Sequence, residues 1–190
     1  VLYKEIIYHT KQLIDESLND SQKLLHMRGR PKILLAQTFE DAINLYRKYS
    51  TNILGIITDL KFPIKDKTND NAGFQLIKKI RTSDQSIPIL LQTTKTINPD
   101  KRQEYNFSYI NKNSPKLFKK LRTFMIENFG FGLFNFRLPN NRIIDTATNI
   151  DELYDKLKTI PKESLYYHAI NNHLSNWLAA RGEFKLASKF

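Results

Sequence analysis

The chain has 190 residues, 41% of them hydrophobic, which is enough for one medium domain or for a domain of about 120 residues with a smaller one beside it. It contains no cysteine, which excludes disulfides, thiolate metal ligands and cysteine nucleophiles and predicts a protein of the reducing cytoplasm. The formal net charge of +11 is compatible with an acidic partner, but the lysines are scattered and no nucleic-acid recognition motif accompanies them, so nucleic acid is not the favoured partner.

Helix and strand patterns alternate over the first two thirds of the chain. Apolar residues at helical spacing predict helices, and apolar runs bounded by turn residues predict buried strands. In chain order we predict an amphipathic helix over 1–27, a strand at 32–37 (KILLAQ), a helix over 39–49 capped by Thr38, a strand at 52–58 (NILGIIT), a flexible loop over 65–73, a helix over 72–82, strands at 87–93 (IPILLQT) and 107–111 (FSYIN), and a helix over 114–129. This alternation predicts an α/β fold with a doubly wound parallel sheet.

The pattern changes at FGFG (129–132), so we predict two domains, 1–128 and a small α+β domain over 129–190. The second begins with a hairpin around Pro139-Asn140-Asn141 and continues with a helix over 149–160, for which Asn149 and Glu152 suit a capping box. A further helical stretch that is interrupted near 173–175 follows. His168 and His173 are five residues apart, about 140° on a continuous helix, which disfavours a shared metal ion and favours packing of His173 with Trp177.

Three predicted strands are followed directly by polar residues. Asp59 follows LGIIT, Thr93 follows ILLQ, and Lys112 follows SYIN. The carboxyl ends of parallel strands share one edge, where open α/β sheets bind ligands, so we expect these side chains to converge. A carboxylate can attack phosphorus, a hydroxyl can donate to a phosphoryl oxygen, and an ammonium can neutralise the transferred charge. Taken singly, Asp59 also fits a turn former, Thr93 an ordinary strand end and Lys112 a solvated lysine.

The order and spacing of these residues resemble the receiver domain of two-component response regulators. DLKFP (59–63) resembles the family's Asp-x-x-Met-Pro with phenylalanine in place of Met, and AGFQLIKKIR contains the glycine, Gly73, that precedes Leu-x-x-Ile-Arg. PILLQT places Thr93 at the hydroxyl position, and YINK places Tyr109 three residues before Lys112. The resemblance covers residues 1–128.

The resemblance implies a flavodoxin-like sheet and a role in signal transduction. Asp59 would accept a phosphoryl group from a histidine kinase or a small-molecule phosphodonor, assisted by Thr93 and Lys112. Thr93 and Tyr109 would then rearrange as the switch that changes the surface of the domain. The implied cofactor is Mg²⁺, bound by Asp59 together with further acidic residues.

One part of the family pattern has no counterpart in this sequence. The family's first strand, which lies centrally in the order 2-1-3-4-5, ends in the acidic pair that holds Mg²⁺, whereas this sequence opens on the pattern of the helix that follows it. We therefore expect an upstream apolar strand ending in acidic residues, or another segment or chain, to fill the slot between KILLAQ and NILGIIT. Without an acidic pair, the domain would be a degenerate receiver that serves protein interaction alone.

The stretch from FNFRLPNNR through SLYYHAINNHLSNWLAARGEF resembles a small accessory domain. Joined to a receiver, it is similar to the N-terminal regulatory part of bacterial proteins related to phosphoenolpyruvate synthase and pyruvate phosphate dikinase. The resemblance implies that the module regulates an attached or partner enzyme. The chain shows neither a phosphate-binding glycine loop nor an identifiable phosphohistidine site, so we do not assign the enzyme activity to these residues.

Two alternatives to a phosphorylated receiver stay open, the degenerate receiver and a basic nucleic-acid-binding protein whose affinity would depend steeply on salt. A homodimer through the helix at 115–127 or through the first helix is also open. No apolar run approaches the length of a membrane span, so no membrane association is expected.

Overall fold

The computed structural model describes residues 4, 6–9, 11 and 31–190. The chain divides into two compact units: the sheet unit, Ile33–Phe124, and the hairpin unit, which combines Met125–Phe190 with Val1–Lys32. The sequence placed the boundary between 128 and 129 and grouped the amino-terminal helix with the sheet. The described residues before position 12 are helical, and the rest of the helix predicted over 1–27 lies outside the described residues. In the described ranges, no helix has the length and apolarity to cross a membrane.

The sheet unit alternates helices and strands, as its apolar patterns predict. Its elements in chain order are α1 (Phe39–Tyr49), β1 (Ile56–Asp59), β2 (Phe62–Ile64), β3 (Lys67–Asn69), α2 (Ala72–Arg81), β4 (Ile89–Thr93), α3 (Pro99–Glu104), β5 (Ser108–Asn111) and α4 (Leu117–Asn128), whose carboxy-terminal end belongs to the hairpin unit. Helix α1 begins where predicted, because the hydroxyl of Thr38 accepts a hydrogen bond from the amide of Asp41 at 3.1 Å.

Strands β1, β4 and β5 form one parallel sheet in the order β1-β4-β5. Their register pairs Asp59 with Gln92 and Thr93 with Asn111, so the three strands end at nearly the same level. The mixed α/β class and the parallel sheet are thereby confirmed.

The prediction of a strand at 32–37 is wrong. Residues 31–36 form no strand, and the side chains of Ile33, Leu34 and Leu35 are 49%, 47% and 79% exposed. An apolar run becomes a strand only when a neighbour completes its hydrogen bonds, and in the described part of the chain β1 pairs with β4 alone.

The prediction of a flexible loop over 65–73 is also wrong in part. β2 and β3 form a small antiparallel hairpin, in which Phe62 pairs with Asn69. Its turn residues Lys65 and Asp66 both have positive φ, 48° and 62°, which hairpin turns require and which sequence patterns assign mainly to Asn and Gly.

The core of the sheet unit packs α1 and α2 against one face of the sheet. Ile43 of α1, Ile77 of α2 and Leu91 of β4 are among its buried residues. The buried guanidinium of Arg81 closes the end of the sheet opposite to Asp59. It donates to four main-chain carbonyls, those of Asp84, Ile87, Tyr105 and Asn106, at 2.6 to 3.0 Å.

The hairpin unit contains the predicted hairpin and four helices in its described part after α4. These elements are β6 (Phe134–Arg137), β7 (Ile143–Ala147), α5 (Ile150–Leu157), α6 (Lys162–Ile170), α7 (His173–Ala179) and α8 (Phe184–Ala187). Strands β6 and β7 are antiparallel, and Phe136 and Trp177 lie in the core beneath them. As predicted, the side chain of Asn149 caps α5 by accepting from the amide of Glu152 at 2.8 Å.

Candidate functional site

The carboxyl ends of β1, β4 and β5 bring Asp59, Thr93 and Lys112 to one edge of the sheet. The amide of Leu60 donates to the carbonyl of Gln92 at 3.2 Å, and the amide of Lys112 donates to the carbonyl of Thr93 at 2.9 Å. The hydrogen-bond ladder thus continues one residue past β1 and one residue past β5, and it holds the main chain at this edge in place. This is the convergence that the strand-end pattern predicted.

Asp59 and Lys112 form an ion pair at this edge. The Nζ atom of Lys112 lies 2.7 Å from Oδ2 of Asp59, and the two side chains are 37% and 50% exposed. An exposed pair of this kind contributes at most about 1 kcal/mol to stability. The pair therefore matters less for folding than for the chemistry that the site can perform. Oδ1 of Asp59 accepts no hydrogen bond from any described residue, and the exposure of the side chain leaves it accessible to a reagent.

Thr93 and Tyr109 are linked through the main chain of one residue, Lys95. The hydroxyl oxygen of Thr93, which is 6% exposed, accepts from the amide of Lys95 at 3.2 Å. The phenol of Tyr109 donates to the carbonyl of the same residue at 2.8 Å. The tyrosine ring packs against the core of the sheet unit. Movement of the Thr93 hydroxyl would therefore release the amide of the residue whose carbonyl Tyr109 binds. The sequence pattern did not reveal this connection, because Lys95 contributes only main-chain atoms.

Gly73 allows α2 to approach the end of β1. A Cβ atom at this position would lie 2.3 Å from the carbonyl oxygen of Asp59 and 3.0 Å from Cα of Leu60. The amide of Gly73 donates to the carbonyl of Leu60 at 3.0 Å. Only glycine fits at this contact, so the start of α2 fixes the backbone that carries Asp59.

Magnesium was expected from the resemblance to receivers. Mg²⁺ takes octahedral oxygen coordination, commonly from one or two carboxylates with substrate oxygens and waters. In the described ranges, no three His, Cys, Asp or Glu side chains converge as a metal-binding group. Asp59 alone, with an ammonium against Oδ2, does not make a magnesium site, and we derive no step through the ion.

The hairpin unit brings together two histidines, His168 and His173, that helical spacing predicts to lie apart. Helix α6 ends at Ile170, and Asn172 adopts φ 55°, so the 140° separation expected for one continuous helix is wrong. Nδ1 of His168 and Nδ1 of His173 are 3.0 Å apart. The amide of Arg137 donates to Nε2 of His168 at 2.8 Å, so the proton of the neutral ring lies on Nδ1 and is donated to Nδ1 of His173.

In this tautomer pattern, the Nδ1 atoms of both rings are occupied by the hydrogen bond between them. The pattern leaves His173 with its proton on Nε2, which is then a hydrogen-bond donor and neither a base nor a nucleophile. Burial, followed by electrostatic interaction with His173 and with Arg137, lowers the pKa of His168 to about 4. Burial also lowers the pKa of His173. The pair is therefore a neutral packing motif, not a catalytic one.

Comparison of the chain with protein-family profiles, curated proteins and solved structures found no match.

Proposed function

We propose that the chain is a signal-transduction module of the receiver type, in which Asp59 accepts a phosphoryl group. The observation that carries the proposal is the ion pair of 2.7 Å between Lys112 and Asp59 at the shared end of three parallel strands, with the Thr93 hydroxyl on the strand between them. The order β1-β4-β5 is compatible with part of a doubly wound, flavodoxin-like sheet.

In the proposed reaction, an oxygen of the Asp59 carboxylate attacks the phosphorus of an acyl phosphate or of a phosphohistidine on a partner kinase. The bond between phosphorus and the donor oxygen or nitrogen breaks, and the donor leaves with its electron pair. Lys112 offsets the negative charge gained at the site, and the Thr93 hydroxyl donates to a phosphoryl oxygen. Mg²⁺ is a separate proposal that carries no step of this reaction: an adduct that forms in Mg²⁺ and not in EDTA would support it, and equal adducts in both would contradict it.

The proposed output is a shift between two arrangements of the Thr93, Lys95 and Tyr109 connection. If Thr93 turns its hydroxyl toward the phosphoryl group, it gives up the amide of Lys95, whose carbonyl binds Tyr109 at 2.8 Å. The new charge thereby favours a different position of the tyrosine and its loop. An attached or partner enzyme, such as one related to phosphoenolpyruvate synthase, would respond to this change.

The test is intact mass after incubation with acetyl phosphate, with Mg²⁺ or with EDTA. We expect the wild-type protein to gain one phosphoryl group in Mg²⁺ and the Asp59→Asn variant to gain none. Asp70→Asn is the matched control, because Asp70 forms a comparable exposed ion pair with Lys61 at 2.8 Å but does not end a strand of the parallel sheet. A folded wild-type protein that gains no mass, or an adduct that persists in Asp59→Asn, would refute the proposal.

A second candidate is a receiver-like module that serves only protein interaction. The observation in its favour is the apolar run Ile33, Leu34 and Leu35, whose side chains are 47% to 79% exposed. It predicts no adduct on Asp59 and a loss of partner binding when Leu35, the most exposed of the three, is changed to serine.

A further inference from the structure

The hydrogen-bond ladder between β4 and β5 ends directly at the candidate site. Its last main-chain bond runs from the amide of Lys112 to the carbonyl of Thr93 at 2.9 Å. Beyond this bond the two chains separate, one into the loop that begins at Thr94 and the other into the turn that leads to α4. The separation of the Thr93 hydroxyl from the Lys112 ammonium therefore depends on the contacts that join this loop to this turn.

The side chain of Asn111 joins the loop to the turn. Its Oδ1 atom accepts from the amide of Asn113 in the turn at 2.8 Å, and its Nδ2 atom donates to the carbonyl of Thr94 in the loop at 3.4 Å. A main-chain amide only donates and a carbonyl only accepts, so both contacts assign the same orientation of the side-chain amide. One side chain thereby connects the residue after Lys112 with the residue after Thr93.

Tyr109 and Asn111 hold neighbouring carbonyls of the same loop. The two residues are two apart on β5, so their side chains leave the strand on the same face. The phenol of Tyr109 donates to the carbonyl of Lys95, and Asn111 donates to the carbonyl of Thr94. The amide of Lys95 donates to the hydroxyl of Thr93. If Thr93 gives up this amide, Asn111 still ties the start of the loop to β5.

Only one of the two bonds requires an asparagine. The bond from the Asn113 amide to Asn111 is an Asx turn, which an aspartate makes equally well. The bond to Thr94 needs the side-chain amide, because a carboxylate cannot donate to a carbonyl. The contact that depends on asparagine is therefore the one that reaches the loop after Thr93.

We propose that Asn111 is a positioning residue for the phosphoryl transfer, which holds the loop after Thr93 at a fixed separation from Lys112. The inference rests on the proposed function of Asp59. Asn111 acts through Thr93 and Lys112 and takes no part in the reaction itself. Misplacement by about 1 Å can slow a reaction about a hundredfold, but a bond of 3.4 Å is weak, so we expect a loss of about fivefold in rate when it is removed.

The test variant is Asn111→Asp, which keeps the Asx turn and loses the donor to Thr94. We expect the maximal rate of adduct formation with acetyl phosphate and Mg²⁺, followed by intact mass, to be about fivefold lower than in Asn113→Asp. Asn113→Asp is the control for charge, because it adds a carboxylate to the same turn and leaves the side chain of Asn111 in place.

A second control separates the site from general stability. The Nδ2 atom of Asn106, just before β5, donates to the carbonyl of Gln85 at the same distance of 3.4 Å. Asn106→Asp removes this bond and adds the same charge at the opposite end of the strand, and aspartate tolerates the positive φ of 45° at this position. We expect Asn106→Asp to react at the wild-type rate.

A second measurement does not depend on phosphorylation. The loop that Asn111 ties to the turn contains the amide of Lys95, which its bond to Thr93 protects from hydrogen exchange. In peptide-level exchange followed by mass spectrometry, we expect the segment 94–98 to exchange about threefold faster in Asn111→Asp than in the wild-type protein. It should exchange at the wild-type rate in both control variants.

The two measurements distinguish a failure of this inference from a failure of the proposed function. A wild-type protein that gains no phosphoryl group refutes the proposed function and, with it, a role of Asn111 in the reaction. An adduct in the wild-type protein, with Asn111→Asp no slower than Asn113→Asp or Asn106→Asp, would overturn the positioning role alone. Unchanged exchange of 94–98 in Asn111→Asp would overturn the tie between loop and turn, whether or not Asp59 is phosphorylated.

Discussion

Replacement of Gly73 by alanine tests how the start of α2 positions Asp59. The new Cβ would lie 2.3 Å from the carbonyl oxygen of Asp59, whereas ordinary contact begins at about 3.4 Å. The atom that it meets belongs to the main chain and cannot rotate away, so either α2 or the end of β1 must move by about 1 Å. We expect overpacking to cost about 1–3 kcal/mol, offset by about 1 kcal/mol from the higher helix propensity of alanine.

The displacement should have a second effect, on reactivity. A misplacement of about 1 Å can slow a reaction by about a hundredfold when geometry limits it, so phosphorylation of Gly73→Ala by acetyl phosphate should be at least about tenfold slower. The matched control is Ala72→Gly, because Ala72 is fully buried at the start of the same helix and its loss destabilises without crowding Asp59.

The assays are urea unfolding followed by far-UV circular dichroism and the initial rate of adduct formation by intact mass. We predict that Ala72→Gly lowers stability alone, whereas Gly73→Ala lowers both stability and rate. A Gly73→Ala protein with wild-type stability and wild-type rate would refute the close-contact argument. A rate loss of equal size in Ala72→Gly would refute the specific link between Gly73 and Asp59.

Two further predictions concern stability. Arg81→Met should lower the free energy of unfolding of the sheet unit by about 3 kcal/mol, because four main-chain carbonyls lose their charged donor. Arg81→Lys should lower it less, because a charged donor remains. Urea unfolding measures both, and an equal loss of stability in the two variants would contradict this reasoning. The hairpin unit should lose stability as the pH falls from about 6.5 toward 4, because the pKa of His168 is lowered to about 4 in the folded state and the unfolded chain binds more protons. At pH 5 this histidine accounts for about 2 kcal/mol, measured by urea unfolding with the fluorescence of Trp177. His168→Gln should remove the pH-dependent loss of stability that is due to His168. The loss due to His9 should remain, because burial and the charge of Arg181 also lower the pKa of His9 to about 4. An unchanged profile of stability against pH in His168→Gln would contradict the assignment.

Local signals in the sequence predicted much of the fold. Thr38 and Asn149 begin helices as their capping patterns indicate, and the apolar runs before Asp59, Thr93 and Lys112 form the parallel strands. These features depend on neighbouring residues, so a pattern in the sequence is sufficient to find them.

The errors arise where distant residues decide the structure. KILLAQ has the composition of a strand but no partner to pair with among the described residues. The β2–β3 hairpin depends on positive φ at Lys65 and Asp66, which these residue types do not predict. The contact of His168 with His173 depends on a helix break at Asn172, and the role of Lys95 depends on its main chain alone. In each case the pattern of residue types along the sequence is compatible with more than one structure.

The chemical location of the adduct tests the central claim most directly. After treatment with acetyl phosphate, borohydride reduces an aspartyl phosphate to homoserine, and peptide mass spectrometry then locates the residue. We predict homoserine at position 59 and aspartate unchanged at Asp70, its counterpart in the exposed ion pair with Lys61. Homoserine at Asp70 and not at 59, or no homoserine in a folded protein, would contradict the assignment of Asp59 as the phosphoryl acceptor.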